Sequence, residues 1–130
     1  MNFEFAKRLM DNFTYERQAD ALDMFTEDGI FEDFTYDFRV EGMEQLINLF
    51  QKFFDPSKSK FKFTAQSYIG DETGGAIEYT SEMQIMMGEG KGQQVKVRGA
   101  AVIKLRDGKI TRFSDYWDQA GVLRQIGILK

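Results

Sequence analysis

The spacing of the apolar residues changes near Pro56, the only proline in the chain. Before it, apolar side chains such as Phe5, Leu9 and Phe13 recur at steps of four residues, which is the spacing of one helix face. After it, apolar and polar residues alternate, which places every second side chain on one face of a strand. Helices gathered in the first half and long strands in the second predict an α+β fold, with the helices packed on the concave face of one curved antiparallel sheet.

The first half predicts three helices. The apolar stripe indicates one helix over residues 3–12, and Thr14 is typical of the N-cap of a second helix that continues to about Thr26. Gly42 precedes a third helix, in which apolar residues from Met43 to Phe54 share one face. The other predicted elements of this half are a helix-ending turn at Glu27-Asp28-Gly29, a strand from Ile30 to Phe34 and an extended piece from Phe38 to Val40.

The second half predicts four strands joined as a meander. Asp107-Gly108 is a two-residue hairpin signal, and the strand after it runs from Lys109 to about Trp117, before a short terminal helix capped by Asp118. Strands this long must twist and curl, so helices across the open end of the sheet leave a cone-shaped space. The side chains predicted to face inward are Phe61, Phe63, Ala65, Ser67 and Ile69 on the first strand, Ile77, Tyr79, Ser81, Met83 and Ile85 on the second, and Val97, Gly99, Ala101, Ile103 and Leu105 on the third.

Two residue types are missing from the chain, and their absence limits its chemistry. There is no cysteine and no histidine, which excludes disulfides, thiolate nucleophiles, Ser-His-Asp catalysis and the commonest metal ligand. The carboxylate pairs Glu27/Asp28 and Glu32/Asp33 lack the loop spacing of a calcium site, so neither a metal nor another cofactor is predicted. Acid–base chemistry must therefore come from Asp, Glu, Tyr or Lys side chains.

Length, composition and charge favour one domain with a small-molecule partner. No linker or repeat divides the chain, so residues 1–130 are predicted to form a single domain. The 13 phenylalanines supply more apolar volume than a plain core needs, which indicates a cavity for a small hydrophobic molecule. A net charge of −4 without a basic patch argues against nucleic acid as a partner. The lack of a signal peptide and of any long apolar run predicts a cytoplasmic protein with no membrane segment.

Asp115 is the strongest candidate for a catalytic residue. It alternates with Phe113 and Trp117 on one face of the last strand, and these aromatic neighbours indicate that this face is the inner one. A carboxyl group between two aromatic side chains loses hydration, which raises its pKa toward the range useful for proton transfer. The other interpretation is that Asp115 hydrogen-bonds the backbone at the end of the strand.

Two stretches of the chain are similar to a known superfamily. They are Ala21 to Asp33, with the sequence ALDMFTEDGIFED, and Leu105 to Asp118, with the sequence LRDGKITRFSDYWD. With the order of the predicted elements, they resemble the nuclear-transport-factor-2-like superfamily, especially its SnoaL-like polyketide cyclases and limonene epoxide hydrolases. The resemblance covers nearly the whole chain and implies a cystatin-like, cone-shaped α+β barrel. It leaves the reaction open, because this superfamily hosts hydrolases, isomerases, cyclases and binding modules.

The resemblance implies roles for two carboxylates. Asp115 matches the acidic residue that acts in the epoxide hydrolases and the general acid/base of the cyclases. Asp33, which alternates with Phe31 onto one strand face, matches the place of the general-base aspartate in ketosteroid isomerases, which belong to the same superfamily. Asp33 is therefore predicted as a second catalytic acid, or else as a loop carboxylate at the cavity rim or a partner for Arg39.

The chain departs from both enzyme patterns at other positions. The epoxide hydrolases use an arginine and an aspartate two residues apart on the second long strand, where this chain turns Tyr79, Ser81 and Met83 inward. The isomerases use a tyrosine on the first helix and a protonated aspartate on the third long strand, and this chain has neither. Epoxide opening and steroid isomerisation are therefore not predicted.

Two functions and one mode of assembly remain open. One function is a cofactor-free cyclase or isomerase that acts on a small hydrophobic carbonyl substrate with Asp115 as its acid/base. The other is a non-catalytic binding protein for a small hydrophobic ligand, or a dimeric interaction module. A homodimer through the outer sheet face is predicted, because charges of both signs, from Glu78 to Arg112, share that face. The predicted substrate-binding residues are Phe31, Phe63, Tyr79, Ser81, Met83, Phe113 and Trp117.

Overall fold

A computed structural model of the chain describes residues 2–130. The first half of this range holds two helices, two strands and a third helix, and long strands fill most of the second. None of the helices in the range is long and apolar enough to cross a membrane. The elements are α1 (Phe3–Asp11), α2 (Gln18–Leu22), β1 (Phe25–Asp33), β2 (Phe38–Glu41), α3 (Met43–Phe53), β3 (Ser59–Asp71), β4 (Gly74–Ile85), β5 (Gln94–Arg106), β6 (Lys109–Trp117) and α4 (Gln119–Gln125).

The strands form one sheet in the order β2-β1-β6-β5-β4-β3. Strands β3 to β6 make an antiparallel meander, as predicted. Strand β1 pairs with β2 in the antiparallel sense but lies parallel to β6, which the sequence analysis did not anticipate. The parallel pair sets Phe31 beside Phe113 and Asp33 beside Asp115. The predicted α+β architecture is confirmed, and the two candidate carboxylates lie on neighbouring strands.

Phenylalanine rings fill the space between the helices and the sheet. Phe13, just after α1, packs edge-on against Phe50 of α3 and Phe113 of β6, with ring centroids 5.8 and 5.5 Å apart. Phe25 of β1 joins this cluster, 5.9 Å from Phe50. Fully burying one such side chain contributes about 1.5–3 kcal/mol. The cluster therefore holds α1 and α3 on the inner face of the sheet.

The second helix is shorter than predicted. It covers Gln18–Leu22 and does not begin at Thr14 or run on to Thr26. The Oγ1 of Thr14 instead accepts a backbone N–H of the following turn at 3.1 Å. The chain is already in strand β1 from Phe25, because this side chain is buried and β1 pairs there with β6. Glu27-Asp28-Gly29 therefore lies inside strand β1 and not in the predicted turn, at an irregularity where the pairing with β6 shifts register between Phe25 and Ile30.

A β-bulge at Gln66 reverses part of the alternation predicted for β3. At this point the pairing advances by two residues on β3 but by only one on β4, so Gln66 is an extra residue. Beyond the bulge each side chain changes face. Ser67 and Ile69, which were predicted to face inward, lie on the outer face, where Ile69 is 80% exposed, and Tyr68 packs against the core. The alternation predicted for β4 and β5 is confirmed.

Candidate active site

A cavity of about 280 Å³ lies against the inner face of the sheet, next to α3 and α4. Its walls are mostly aromatic and aliphatic, and they include no lysine or arginine among residues 2–130. This volume lies just below the range for drug-sized ligands, which begins at about 300 Å³, so it suits a smaller organic molecule. The lining residues are Tyr36, Phe53, Ser59, Phe61, Phe63, Tyr79, Ser81, Met83, Ile85, Val97, Asp115, Trp117, Gln119, Val122, Leu123 and Ile126.

A smaller hollow of about 20 Å³ lies among the phenylalanine rings of the core. It is lined by Met10, Phe13, Phe31, Leu49, Phe50, Phe53, Phe54, Phe63, Tyr79, Phe113 and Asp115. Four of these side chains, Phe53, Phe63, Tyr79 and Asp115, also line the larger cavity. Tyr79 and Asp115 are the polar members of this shared set. Their polar groups therefore lie at the boundary between the larger cavity and the aromatic core.

Asp115 is a buried acid with one side-chain partner. The residue is 9% exposed, and its Oδ1 accepts a hydrogen bond from the Tyr79 hydroxyl at 2.6 Å. Burial raises the pKa of Asp115 from its ordinary 3.8 to about 7, and the charge of the neighbouring Asp33 acts in the same direction. The hydrogen bonds from Tyr79 and from the backbone N–H of Tyr116 lower the pKa and so offset part of this rise. Both protonation states of Asp115 are therefore accessible near neutral pH.

Tyr79 reaches Asp115 across the intervening strand β5. Its partner on β5 is Gly99, and a methyl group built at Gly99 would overlap the Tyr79 ring. The missing side chain therefore opens the path along which the ring extends from β4 to β6. Burial and the neighbouring Asp115 raise the pKa of Tyr79, so that the phenol keeps its proton and remains a hydrogen-bond donor.

Asp33 lies beside Asp115 but lines neither space. The residue is 3% exposed, and its carboxylate accepts from the backbone N–H groups of Thr35 and Tyr36 at 2.9 and 2.8 Å. It also accepts from Nε1 of Trp117 at 3.0 Å. These donors tie the turn after β1 to the end of β6, where the rings of Tyr36 and Trp117 pack 4.8 Å apart. Asp33 thus positions two aromatic side chains of the cavity wall.

The predicted substrate-binding residues divide between the two spaces. Phe31 and Phe113 line only the inner hollow, where their rings stack 4.8 Å apart. Phe63 and Tyr79 line both spaces, and Ser81, Met83 and Trp117 line the larger cavity. All seven are therefore near Asp115 or in the walls that lead to it. Among residues 2–130 no group of three or more Asp or Glu side chains is placed to hold a metal ion.

The sequence analysis missed several residues of the cavity wall. Phe61 and Val97 had been placed on inner strand faces, so the alternation contained the signal for them. Tyr36 lies in a turn, where no periodicity points to a direction. Val122, Leu123 and Ile126 carried the apolar pattern of the terminal helix, but that pattern does not say which part of the sheet the helix covers.

The outer face of the β1–β6 pair carries a carboxylate whose pKa is lowered, in contrast to that of Asp115. Glu32 is buried there and accepts from Nε of Arg112 at 2.6 Å and from Oγ of Ser114 at 2.8 Å. Arg39 of β2 lies 3.7 Å from the other Glu32 oxygen and also pairs with Glu41, so its carboxylate partners are not Asp33. The Arg112 hydrogen bond is the largest cause that holds the pKa of Glu32 below its ordinary value.

The curved six-stranded sheet with helices packed on its inner face is the nuclear-transport-factor-2-like fold. Residues 6–113 match the SnoaL-like domain, and the chain belongs to that family. This confirms the resemblance seen in the sequence. A search of curated proteins found no match.

Solved structures show the same fold at low sequence identity. A Catenulispora acidiphila protein with a ketosteroid isomerase-like fold, solved in complex with trimethylamine, superposes with a TM-score of 0.83 at 21% identity, covering 100% of this chain and 96% of that one. A Shewanella putrefaciens protein provisionally named a SnoaL-like polyketide cyclase gives 0.79 at 16%, covering 97% and 96%. A Bacillus subtilis protein provisionally named an isomerase gives 0.77 at 20%, covering 97% and 92%. Identities this low establish the shared fold and leave the reaction open.

Proposed function

We propose that the protein is a cofactor-free cyclase or isomerase that moves a proton within a small, hydrophobic carbonyl compound, with Asp115 as its general acid/base. The observation that carries the proposal is the setting of Asp115, which lies at the boundary of the cavity with its pKa raised to about 7. A general acid/base works best when its pKa lies near the working pH. The names of the structural relatives, which include cyclases and an isomerase, support the same class of reaction.

The proposed reaction has two proton transfers on one carboxyl group. The Asp115 carboxylate takes a proton from the carbon next to the substrate carbonyl, and the C–H electron pair moves into an enolate. In an isomerisation, protonated Asp115 returns the proton to another carbon of the same conjugated system. In a ring closure, the enolate carbon bonds to a second carbonyl carbon of the substrate, and the proton goes to the alkoxide oxygen that results. The Tyr79 hydroxyl holds the carboxyl group in one orientation throughout.

The cavity walls suit an uncharged substrate. They contain one buried acid and no lysine or arginine among the described residues, so a carboxylate or phosphate on the substrate would find no opposite charge. The stacked rings of Phe53 and Phe61, 4.9 Å apart, and of Phe61 and Phe63, 5.5 Å apart, provide an apolar surface that folds the substrate. Holding the reacting carbons close together supplies much of the rate in reactions of this kind.

In this proposal Asp33 acts through its neighbours. Its oxygens accept from Thr35, Tyr36 and Trp117, and its charge adds to the rise in the pKa of Asp115 that burial causes. Its role as a second catalytic acid stays a prediction. The Asp33→Asn variant separates the two roles: a positioning residue changes the pH dependence of the reaction, whereas a second acid also lowers the maximal rate.

The test measures proton exchange directly. Wild type is incubated with a panel of hydrophobic ketones in D2O, and loss of the hydrogens next to the carbonyl is followed by NMR. We expect Asp115→Asn to lower the exchange rate by about 10²–10⁴-fold, the usual contribution of general acid–base catalysis. The matched control is Asp118→Asn, which makes the same chemical change at the cap of α4, where asparagine caps as well as aspartate. Equal rates for wild type and Asp115→Asn across the panel contradict the proposal.

A second candidate is a non-catalytic carrier of a small ligand. It is favoured by the mainly apolar cavity and by the similar Catenulispora protein, which was solved with a small molecule, trimethylamine. A carrier would bind the same ketones with equal affinity in wild type and Asp115→Asn, as measured by native mass spectrometry, and would exchange no hydrogens. Equal affinity without hydrogen exchange would identify the protein as a carrier and not an enzyme.

We also propose that two copies associate through the outer sheet face. Phe34 and Tyr116 stack there 4.8 Å apart although each is 47% exposed, which leaves an aromatic patch in water. Glu78 and Arg98 lie beside this patch, so a second copy turned by a two-fold axis can match opposite charges. Sedimentation at micromolar concentration should show a dimer that Tyr116→Lys dissociates. The control Tyr15→Lys changes another half-exposed tyrosine, away from the sheet, and should leave the dimer intact.

A further inference from the structure

Ser81 is a buried hydroxyl without a partner in the wall of the cavity. The residue is 1% exposed and faces inward on β4, between Tyr79 and Met83. Among the buried side-chain oxygen and nitrogen atoms of residues 2–130, only Ser81 Oγ and Tyr68 Oη lack a hydrogen-bond partner, and Tyr68 does not line this cavity. Buried polar groups in native proteins are nearly always paired, so the unpaired Ser81 Oγ needs an explanation.

The other buried or half-buried polar side chains of this wall already have partners. The Tyr79 hydroxyl donates to Asp115, and Nε1 of Trp117 donates to Asp33. Ser59, at the rim, donates its hydroxyl to the carbonyl of Lys58 at 2.8 Å. Ser81 Oγ is therefore the buried polar atom of the wall that is still free to bind a polar atom of a ligand.

The position of Ser81 separates it from the proposed reacting group. It lies two residues beyond Tyr79 on β4, about 7 Å along the strand, on the side away from the row that holds Asp115. Phe63 is its partner on the neighbouring strand β3, and Met83 is the next inward residue of β4. The space between the two polar points is thus bordered by apolar side chains, and the flexible Met83 can adapt to a ligand that approaches Ser81.

We propose that the natural ligand carries a second hydrogen-bonding oxygen or nitrogen that pairs with Ser81, while its carbonyl end lies at Asp115. The inference rests on the proposed function and narrows its substrate class to uncharged molecules with two polar ends and an apolar centre. Ser81 is then a specificity-determining residue. Its hydrogen bond to the ligand pairs a buried hydroxyl that has no partner among the described protein groups.

The test compares matched ketones by binding. The probes are 2-octanone and 8-hydroxy-2-octanone, with the corresponding pairs of one and two carbons fewer or more. Trp117, the only tryptophan of the chain, lines the cavity and reports binding by its fluorescence. We expect wild type to prefer the hydroxyketone of at least one chain length, and Ser81→Ala to lose about five- to tenfold of that preference, the worth of one neutral hydrogen bond.

Ser59→Ala is the matched control, because it removes a hydroxyl from the same cavity that is already paired with the backbone. It should keep the wild-type preference. The proposal is overturned if wild type shows no preference for a hydroxyketone at any chain length, or if Ser81→Ala keeps that preference unchanged. Because the readout is binding, a failure of the proposed catalysis appears separately, as a normal Ser81 effect without any hydrogen exchange that depends on Asp115.

Discussion

The two faces of the β1–β6 strand pair treat buried carboxylates in opposite ways. On the outer face, Glu32 is surrounded by Arg112, Arg39 and Ser114, and its pKa is lowered. On the inner face, Asp115 has a phenol and a backbone N–H, with the negative charge of Asp33 beside it, and its pKa is raised. The difference lies in the balance between desolvation and partners. For Asp115 the effect of burial exceeds that of its two hydrogen bonds, whereas for Glu32 the hydrogen bond from Arg112 exceeds the effect of burial.

The largest expected effect is that the raised pKa of Asp115 makes the free energy of unfolding depend on pH. Between about pH 4 and 7 the native state keeps the Asp115 proton that the unfolded chain releases, so the free energy of unfolding falls as pH rises through this window. A shift from 3.8 to about 7 corresponds to a loss on the order of 4 kcal/mol. Urea unfolding of wild type and Asp115→Asn at pH 4, 6 and 8 measures it. A difference between the two proteins that stays constant with pH contradicts the raised pKa.

Glu32→Gln should remove the ion pair with Arg112 on the outer face. The variant leaves Arg112 without its carboxylate, and we expect it to lose about 2 kcal/mol of stability at pH 7, less than for a fully buried pair because the arginine is partly exposed. The pH trend has the opposite sign to that of Asp115, since a lowered pKa stabilises at neutral pH and is lost in acid. Glu41→Gln, in an exposed pair with Arg39, is the control and should change little.

Gly99→Ala should disturb the inner side without changing any charge. The added methyl group overlaps the Tyr79 ring, so the ring must move away from Asp115. We expect a destabilisation of about 1.5 kcal/mol from overpacking, together with a further rise in the pKa of Asp115 as the Tyr79 hydrogen bond is lost. Thermal unfolding and ¹³C NMR titration of the carboxyl groups measure the two effects. Ala101→Gly, at the next inward position of β5, tests whether any change of size on this strand does the same.

The smallest and most discriminating effect is a pair of opposite pKa shifts. Tyr79→Phe removes a donor that lowers the pKa of Asp115, so the pKa should rise above that of wild type. Asp33→Asn removes a negative charge that raises it, so the pKa should fall. Carboxyl ¹³C titration of both variants records the directions. Shifts of the same sign would mean that Asp115 responds to a general loosening of the site and not to these two neighbours.

Much of the inner surface could be predicted from the sequence, because alternation is a local property of a strand. The inward residues of β4 and the face of Asp115 between Phe113 and Trp117 followed from it directly. Periodicity failed where a contact from elsewhere in the chain intervened. The bulge at Gln66 is set by the pairing of β3 with β4, and a residue-by-residue pattern within β3 does not contain it.

The parts of the site that were missed depend on how distant segments meet. The parallel pairing of β1 with β6 is what places Asp33 beside Asp115, and no local pattern in either strand specifies it. Tyr36 packs edge-on against Trp117 of β6, which is another contact between segments far apart in the chain. The sequence therefore identified the chemical groups, whereas their neighbours, which set the pKa values, came from the topology.

The β1–β6 pairing also has a consequence for the order in which the molecule is built. The hydrogen bonds from Trp117 to Asp33 and between Thr35 and Trp117 join positions 84 and 82 residues apart in the chain. Closing so long a loop costs conformational entropy before the contacts that it brings together can form. Folding is therefore slower than in proteins whose contacts are mostly local in sequence. During synthesis the meander cannot close on β1 until β6 has left the ribosome. The acid at the cavity boundary is thus assembled among the last features of the nascent chain, and premature termination before β6 yields a product without it.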